Sequence, residues 1–317
     1  MTDRIVTCSQ RPACLIDASI YIFRYYFSLP DNWFSEEGYP TAAVYGFTTF
    51  LLNLLESEQP QVIAACYDES LGSCFRNAIY PDYKASRALP DEALAFQLEA
   101  CREVAELLGI SCFGSETYEA DDLLGSLVKV LRRSKRPIAV VTRDKDLGQL
   151  ITREQDYLWH PDFKNTDREA AVATERIYRE GVRDKFGVEP EQLVDYLALV
   201  GDSIDDIPGV PGLGPKTAQA LLNTFGNLRE VFAQMDNLHA LPIRGAKSLA
   251  GKLTTHTEQI ALAKQLATIV NDVPLGVTTA DLKWRRPDRS GLEAFIGRMG
   301  LGGRLLRRAE KALASKH

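Results

Sequence analysis

Apolar positions along the chain alternate between two kinds of pattern. Continuous runs at Ala13 to Ile16, Val62 to Tyr67 and Pro137 to Thr142 read as buried strands, with a shorter one near Ile110 to Phe113. Between them the spacing becomes helical. Val44, Phe47, Phe50, Leu51 and Leu54 mark a helix within Thr41 to Leu55, another covers Asp91 to Leu108, and Leu123, Leu124, Leu127, Val128 and Leu131 mark a third running to about Ser134. Strands alternating with helices predict an α/β fold with a parallel, doubly wound sheet. After a last strand at Asp156 to Trp159 the pattern turns helical, with helices expected at Glu175 to Val182, Pro190 to Val200 and Ile260 to Ile269. A change of composition near Asp167 to Thr174 divides the chain into 1–173 and 174–317.

The polar residues at the strand ends are acids. Asp17 follows the first strand, Asp68 the second, and Asp144 and Asp146 the third. Ligands of parallel sheets gather beyond these carboxyl ends. The stretch YEADDLLG, Tyr118 to Gly125, adds Glu119, Asp121 and Asp122 in the first turn of a helix, where the helix dipole tolerates negative charge. Glu119 and Asp122 share a face and Asp121 points aside. Any capped surface helix can carry such a turn. Gathered with Asp17, Asp68 and Asp144, however, these acids would repel one another unless something positive sat among them. Oxygen-only ligands favour magnesium or manganese over zinc. Asp202 and Asp205, three apart, are two further candidates, and the alternative for Asp146 is a cap on the helix after it.

Between Ser70 and Pro90, Arg76, Lys84 and Arg87 are interleaved with Phe75, Tyr80 and Tyr83, as in a mobile connection that touches nucleic acid or a solvated basic loop. Further on, Gly209, Gly212 and Gly214 form a Gly/Pro hairpin leading into a helix whose first turn holds Lys216 and Thr217. Glycines let backbone amides face a phosphate and a helix N-terminus attracts one, so the string reads as a helix-hairpin-helix grip on DNA backbone. Arg244 and Lys247 open another helix. Tyr21, Tyr25, Tyr26 and Phe27 are expected in the core rather than as a stacking platform. The segment from Asp281 to His317 is basic and reads as charged, solvated helix.

Composition narrows the class. Hydrophobic content of 45% and charged content of 25% over 317 residues suit a globular protein with a real core. Without a long apolar run or a signal-peptide pattern, a cytoplasmic protein with no membrane partner is expected. Six cysteines lack any C-x-x-C pair, which argues for buried reduced thiols and against zinc. The net charge of −6 looks wrong for a nucleic-acid binder, but a dense acidic site can coexist with a basic surface elsewhere.

LIDAS, YKASR, YEADDLLG, DKDLGQL, GDSIDDIPGVPGLGPKTAQALL and RGAK together resemble the flap endonuclease/5′-3′ exonuclease family, as in the 5′ nuclease domain of bacterial DNA polymerase I. The likeness runs from about Leu15 through RRPDRSGLEAFIGRM near the C-terminus, and with the chain stopping at His317 it suggests a free-standing nuclease. The resemblance implies a PIN-like (resolvase-like) parallel sheet flanked by helices, a basic arch at about 70–90, and a helical region with an H3TH-type hairpin. It implies hydrolysis at 5′ ends, flaps and nicks of DNA, and of RNA primers on DNA, with two Mg2+ or Mn2+ ions. The family's metal acids match Asp17, Asp68, Glu119, Asp121, Asp122, Asp144, Asp146, Asp202 and Asp205. Its arch cations match Lys84 and Arg87, with Tyr83 as a stacking neighbour and Arg24 as a substrate contact. The hairpin's backbone carbonyls would hold potassium. A monomer working with replication or repair proteins would fit. Departures are Ala18 and Ile20 for Gly and Ser, Arg143 for a small residue, and Asp206 for Asn. Arg143 keeps open a branched-DNA-binding module that cuts poorly; a PIN-type ribonuclease is a further alternative.

Overall fold

The computed structural model describes residues 10–162 and 173–314. Six strands, β1 (Ala13–Asp17), β2 (Ile63–Asp68), β3 (Ser111–Ser115), β4 (Ile138–Val141), β5 (Tyr157–Asp162) and β6 (Ala173–Ile177), form one sheet in the order β3-β2-β1-β4-β5-β6. The first five are parallel, and their central members are apolar on both faces because helices cover both. The helices are α1 (Ala18–Ser28), α2 (Ala42–Glu58), α3 (Phe75–Ile79), α4 (Glu92–Leu107), α5 (Ala120–Leu131), α6 (Arg179–Phe186), α7 (Leu193–Val200), α8 (Pro215–Phe225), α9 (Leu228–Ala233), α10 (Ala246–Thr255), α11 (Thr257–Ala267), α12 (Arg289–Arg298) and α13 (Gly303–Ala314). Among the described residues no helix is long and apolar enough to cross a membrane.

The sheet is mixed where the sequence pattern predicts a wholly parallel one. β5 is not the last strand: β6 runs antiparallel to it, with Leu158 opposite Ile177 and His160 opposite Glu175. The span expected as helix from Glu175 is therefore strand as far as Ile177, and α6 begins only at Arg179. A five-residue edge strand carrying Glu175 and Arg176 has too little alternation to betray itself. The composition change near Asp167 to Thr174 falls almost wholly outside the described residues.

Two cores lie on the two faces of the sheet. Cys14 and Ile16 of β1 face α1, α2 and α4, joined by Leu292 and Phe295 of α12 and Leu305 of α13. The chain thus returns from the helical half: Lys283 bridges to Val62, and the Trp284 indole N–H donates to Leu108 O at 2.8 Å. On α1, Tyr21 is buried and stacked on Phe50 at 4.3 Å, whereas Phe27 is 78% exposed. Six residues of helix turn the side chain by about 240°, so the aromatic run cannot enter the core as one block. Of the cysteines, Cys14, Cys66, Cys74 and Cys101 are free and buried and Cys112 is free and partly so; Cys8 lies outside the described residues.

The opposite core joins Leu15 and Ala13 to Leu123, Leu124 and Leu127 of α5, and beyond them to Leu199 of α7 and Leu266 of α11. Gly125 permits that closeness, since a Cβ there would lie 2.6 Å from Ile269 Cγ2 and 2.9 Å from Val270 O. At the head of α5, Glu119 is the N-cap and exchanges a capping box with Asp122. Asp122 is fully buried and receives Arg76 through both guanidinium nitrogens, at 2.7 and 2.8 Å. Arg76 also reaches Glu119 at 3.0 Å and donates to Leu266 O and Thr268 O, while Val270 N donates to Asp122. Burial opposes the charge on Arg76, but Asp122 and Glu119 hold its pKa above the ordinary value.

Removing the arginine strands a buried carboxylate. Arg76→Ala should lower unfolding free energy by about 3–5 kcal/mol. Arg76→Lys should recover only part of it, because an ammonium cannot make the two-pronged contact. Urea unfolding followed by circular dichroism checks this, and a loss below about 1 kcal/mol would mean the pair behaves as a surface ion pair.

Candidate active site

Parallel strand order brings the acids to one edge. Asp17 ends β1 and Asp68 ends β2, two strands that are neighbours. Thr142, just past β4, donates its hydroxyl to Asp17 at 2.7 Å and accepts from Asp144 N at 2.9 Å. Asp146 N donates to Asp144 at 2.7 Å, and Ala120 N, in the first turn of α5, donates to Asp68 at 3.1 Å. Asp121 follows on that turn, half-buried, with Asp144 and Asp17 as its strongest acidic neighbours.

These groups are short of positive charge. Burial, reinforced by Asp144 and Asp68, pushes the Asp17 carboxyl up to about 7 despite its bond from Thr142. Burial together with Asp144 and Asp202 pushes Asp146 up to about 8. Asp121 rises well above the carboxylate range for the same two reasons, burial and neighbouring acids, and Asp68 rises mainly through burial. One oxygen of Asp146 is buried without any hydrogen-bond partner. Among the described residues no group of three or more His, Cys, Asp or Glu side chains is already drawn together tightly enough to hold an ion. An all-oxygen donor set, an orphaned carboxylate oxygen and raised carboxyl pKa values nevertheless fit a hard divalent cation, which would stabilise the ionised forms.

Two acids do have cations. Lys84 pairs with Glu119 and lies 3.5 Å from Asp205, while Arg87 meets Asp205 at 2.6 Å. Burial alone would raise Glu119, but Lys84 and Arg76 outweigh it and hold its carboxyl below the usual value. Asp205 therefore belongs with the arch cations rather than with Asp146 and Asp202. Segment 81–87 is a series of turns folded onto the acids, not an open connection, and Lys84 adopts a left-handed φ of 52° within it. Lys84 N donates to Asp205 O at 3.1 Å. Asp206, also left-handed at φ 55°, accepts from both the backbone and the hydroxyl of Ser86, at 3.1 and 2.8 Å. The departure at Asp206 thus fastens the hairpin loop to the arch.

Three expectations change. Asp122, counted among the metal acids, faces Arg76 and has no exposed surface. Arg76, counted as a DNA contact, is 2% exposed and holds Asp122. Tyr83, expected to stack on substrate, is buried with its hydroxyl donating to Glu119 at 2.8 Å. Arg24 and Arg143 are exposed, and both lie near enough to Tyr21 to act on its hydroxyl electrostatically. The sequence also gave no sign of Thr142, whose hydroxyl orients Asp17; a threonine ending a strand is too common to stand out.

The hairpin lies between α7 and α8. Asp202 and Ile207 exchange backbone hydrogen bonds of 3.0 and 2.8 Å, and Gly209 packs so closely on α7 that a Cβ would sit 2.2 Å from Val200 O. Gly214 is the N-cap of α8 and contributes no side chain, leaving the helix start open beside exposed Lys216 and half-buried Thr217. Arg244 and Lys247 are exposed at the similarly open start of α10. Gly209 O accepts from Gln259 at 2.6 Å and Gly212 O from the Lys252 ammonium at 3.1 Å. Two of the hairpin's carbonyls are thus engaged by side chains of α10 and α11.

Comparison with known proteins agrees with this geometry. The model of the 5′-3′ exonuclease N-terminal resolvase-like domain matches residues 12–187, and that of the 5′-3′ exonuclease C-terminal SAM fold matches 188–290. DNA polymerase I of Pseudomonas aeruginosa is 39% identical over 289 residues, covering 90% of this chain, which spans only 30% of that polymerase. A 5′-3′ exonuclease of Buchnera aphidicola is 33% identical over 278 residues, covering 87% of this chain and 92% of its own length. T5 5′-exonuclease with bound zinc shares the fold with a TM-score of 0.63 at 19% identity, covering 96% of this chain and 100% of that one. The catalytic core of Rad2 in complex with DNA substrate does so with a TM-score of 0.61 at 17% identity, covering 96% and 92%. Matched along most of its length by both halves of the family and by a relative of similar extent, the chain belongs to the 5′-3′ exonuclease family, hydrolases of DNA phosphodiester bonds.

Proposed function

We propose that the protein is a structure-specific 5′ nuclease that hydrolyses phosphodiester bonds at 5′ ends, flaps and nicks of DNA, and in RNA primers paired to DNA. The observation that carries this reading is the run of cation-deficient carboxylates at one sheet edge, faced by Lys84 and Arg87. Asp17, Asp68, Asp121 and Asp144 would hold one divalent ion and Asp144, Asp146 and Asp202 a second, with Glu119 and Asp205 close by. Magnesium or manganese suits these oxygens. Such ions supply a nucleophilic water at neutral pH and stabilise the leaving oxygen.

The chain's own residues do the rest. Thr142 fixes which Asp17 oxygen faces the site. Lys84 and Arg87, already within reach of Glu119 and Asp205, present positive charge to a phosphate entering from the arch side and offset the charge that builds on it. The open starts of α8 and α10, with Lys216, Thr217, Arg244 and Lys247, take duplex phosphates without reading bases. Arg24 adds a cation on α1. Action on DNA as a cytoplasmic monomer, alone or beside replication and repair proteins, is the accompanying reading.

Cleavage of a 5′-flap duplex with magnesium, and its loss in EDTA, tests the activity directly; duplex binding without cutting in either magnesium or manganese would overturn it. Asp121→Ala should abolish cleavage while leaving duplex affinity within about threefold. Lys84→Ala should slow single-turnover cleavage by about 10²–10³-fold with a much smaller loss of binding, and equal losses of both would remove its assigned role. A carboxyl whose folded pKa is raised favours the fold below that pKa and loses this contribution as pH rises through it. In EDTA the melting temperature should therefore fall as pH rises from about 5 to about 9, through the range of Asp17 and Asp146. Magnesium should restore it most at the alkaline end; a rise with pH in EDTA would contradict the charge-deficient site.

A further inference from the structure

The far edge of the sheet carries a different kind of site. A cavity of about 770 Å³ opens at the amino ends of β1, β2 and β4, lined by Arg11, Arg136 and Lys283 over an apolar floor that includes Leu55, Val62 and Trp284. No Asp or Glu lines it, in a chain whose net charge is −6. The cations are held by neutral oxygens. Arg11 donates to Gln59 O at 2.7 Å, and Arg136 to Arg11 O at 2.9 Å and Gln61 Oε1 at 3.0 Å. Among the described residues none of the three forms an ion pair, and the Lys283 ammonium has no hydrogen bond either.

The walls are fixed in place. Lys283 bridges to Val62, Ile63 N donates to Leu282 O at 2.9 Å, and Trp284 N to Gln61 O at 3.1 Å, so the segment returning from the helical half pairs with the amino end of β2. The Trp284 ring is anchored through its N–H to Leu108 O. The carboxylates lie at the other end of these strands, about 17 Å away along a five-residue strand. Guanidinium groups that keep unused N–H donors without a carboxylate suit a phosphate, and the volume and apolar floor suit an attached ring system.

We propose that this cavity binds a nucleoside 5′-monophosphate, the phosphate against Arg136, Arg11 and Lys283 and the base over the floor formed by Val62 and Trp284. Such a molecule is also the smallest product a 5′ exonuclease releases, but the assignment rests on the cavity and not on the proposed activity. The site is separate from the carboxylates and needs no metal.

Equilibrium dialysis of labelled dAMP against the full chain in EDTA tests it. One equivalent should bind, Arg136→Gln and Lys283→Gln should each weaken binding by about tenfold, and Asp121→Asn should leave it unchanged. Lys283→Gln is the decisive variant, since no hydrogen bond of the fold is lost with it. Deoxyadenosine and inorganic phosphate should each compete poorly. The proposal fails if dAMP does not bind, if Lys283→Gln binds like the unaltered chain, or if Asp121→Asn loses binding. It also fails if inorganic phosphate or deoxyadenosine competes as well as dAMP, since either fragment would then account for the whole interaction.

Discussion

Asp122 is a charge with no access to water, and the geometry of the acid-bearing helix depends on how that charge is satisfied. Arg76 meets both its oxygens, Val270 N and Glu119 N take further lone pairs, and the guanidinium's remaining donors go to Glu119, Leu266 O and Thr268 O. A buried ion pair is tolerable only when every lone pair and proton has a partner, since desolvation of two charges otherwise exceeds their attraction. The consequence is positional. Three segments distant in sequence meet at one point, and the first turn of α5 cannot shift without breaking several charged hydrogen bonds together. Glu119 and Asp121 are presented from that turn.

Around this fixed point the remaining acids fall into two electrostatic groups. Glu119 and Asp205 have ammonium or guanidinium partners. Asp17, Asp121 and Asp146 have mainly other acids as neighbours, Asp144 being common to all three, and burial makes the repulsion worse. A fold selected for stability alone would have no reason to keep the second group, and strain concentrated at one edge is the mark of a site awaiting a ligand. The arch divides the two groups physically, because its turns lie over Glu119 and Asp205 and are tied down through Ser86 to Asp206.

Much of this was legible in the amino-acid order. Asp17 and Asp68 could be placed because a buried strand has one period and a definite end, and a parallel sheet sends those ends to the same edge. The misreadings came from residues whose type is right and whose surroundings are invisible in sequence. Asp122 sits one residue from Asp121, yet only the approach of Arg76 and Val270 turns it inward. Tyr83 looks like a stacking ring until its hydroxyl is found on Glu119. β6 was hidden because an edge strand carrying charge lacks the alternation of a core strand, and its pairing with β5 is a tertiary fact. The link from Ser86 to Asp206 spans 120 residues and depends on a left-handed backbone that no short pattern announces.

The close passage of Gly125 against Ile269 and Val270 also bears on how such a protein can change over time. The resolvase-like and SAM-fold segments, which family comparison treats as consecutive pieces, meet here without room for a methyl group, and one apolar core runs through both. They are better regarded as a single cooperative unit than as a catalytic module with an attached grip. Exchange of either segment between relatives would have to carry the facing surface with it, so the two must drift in sequence as a matched pair.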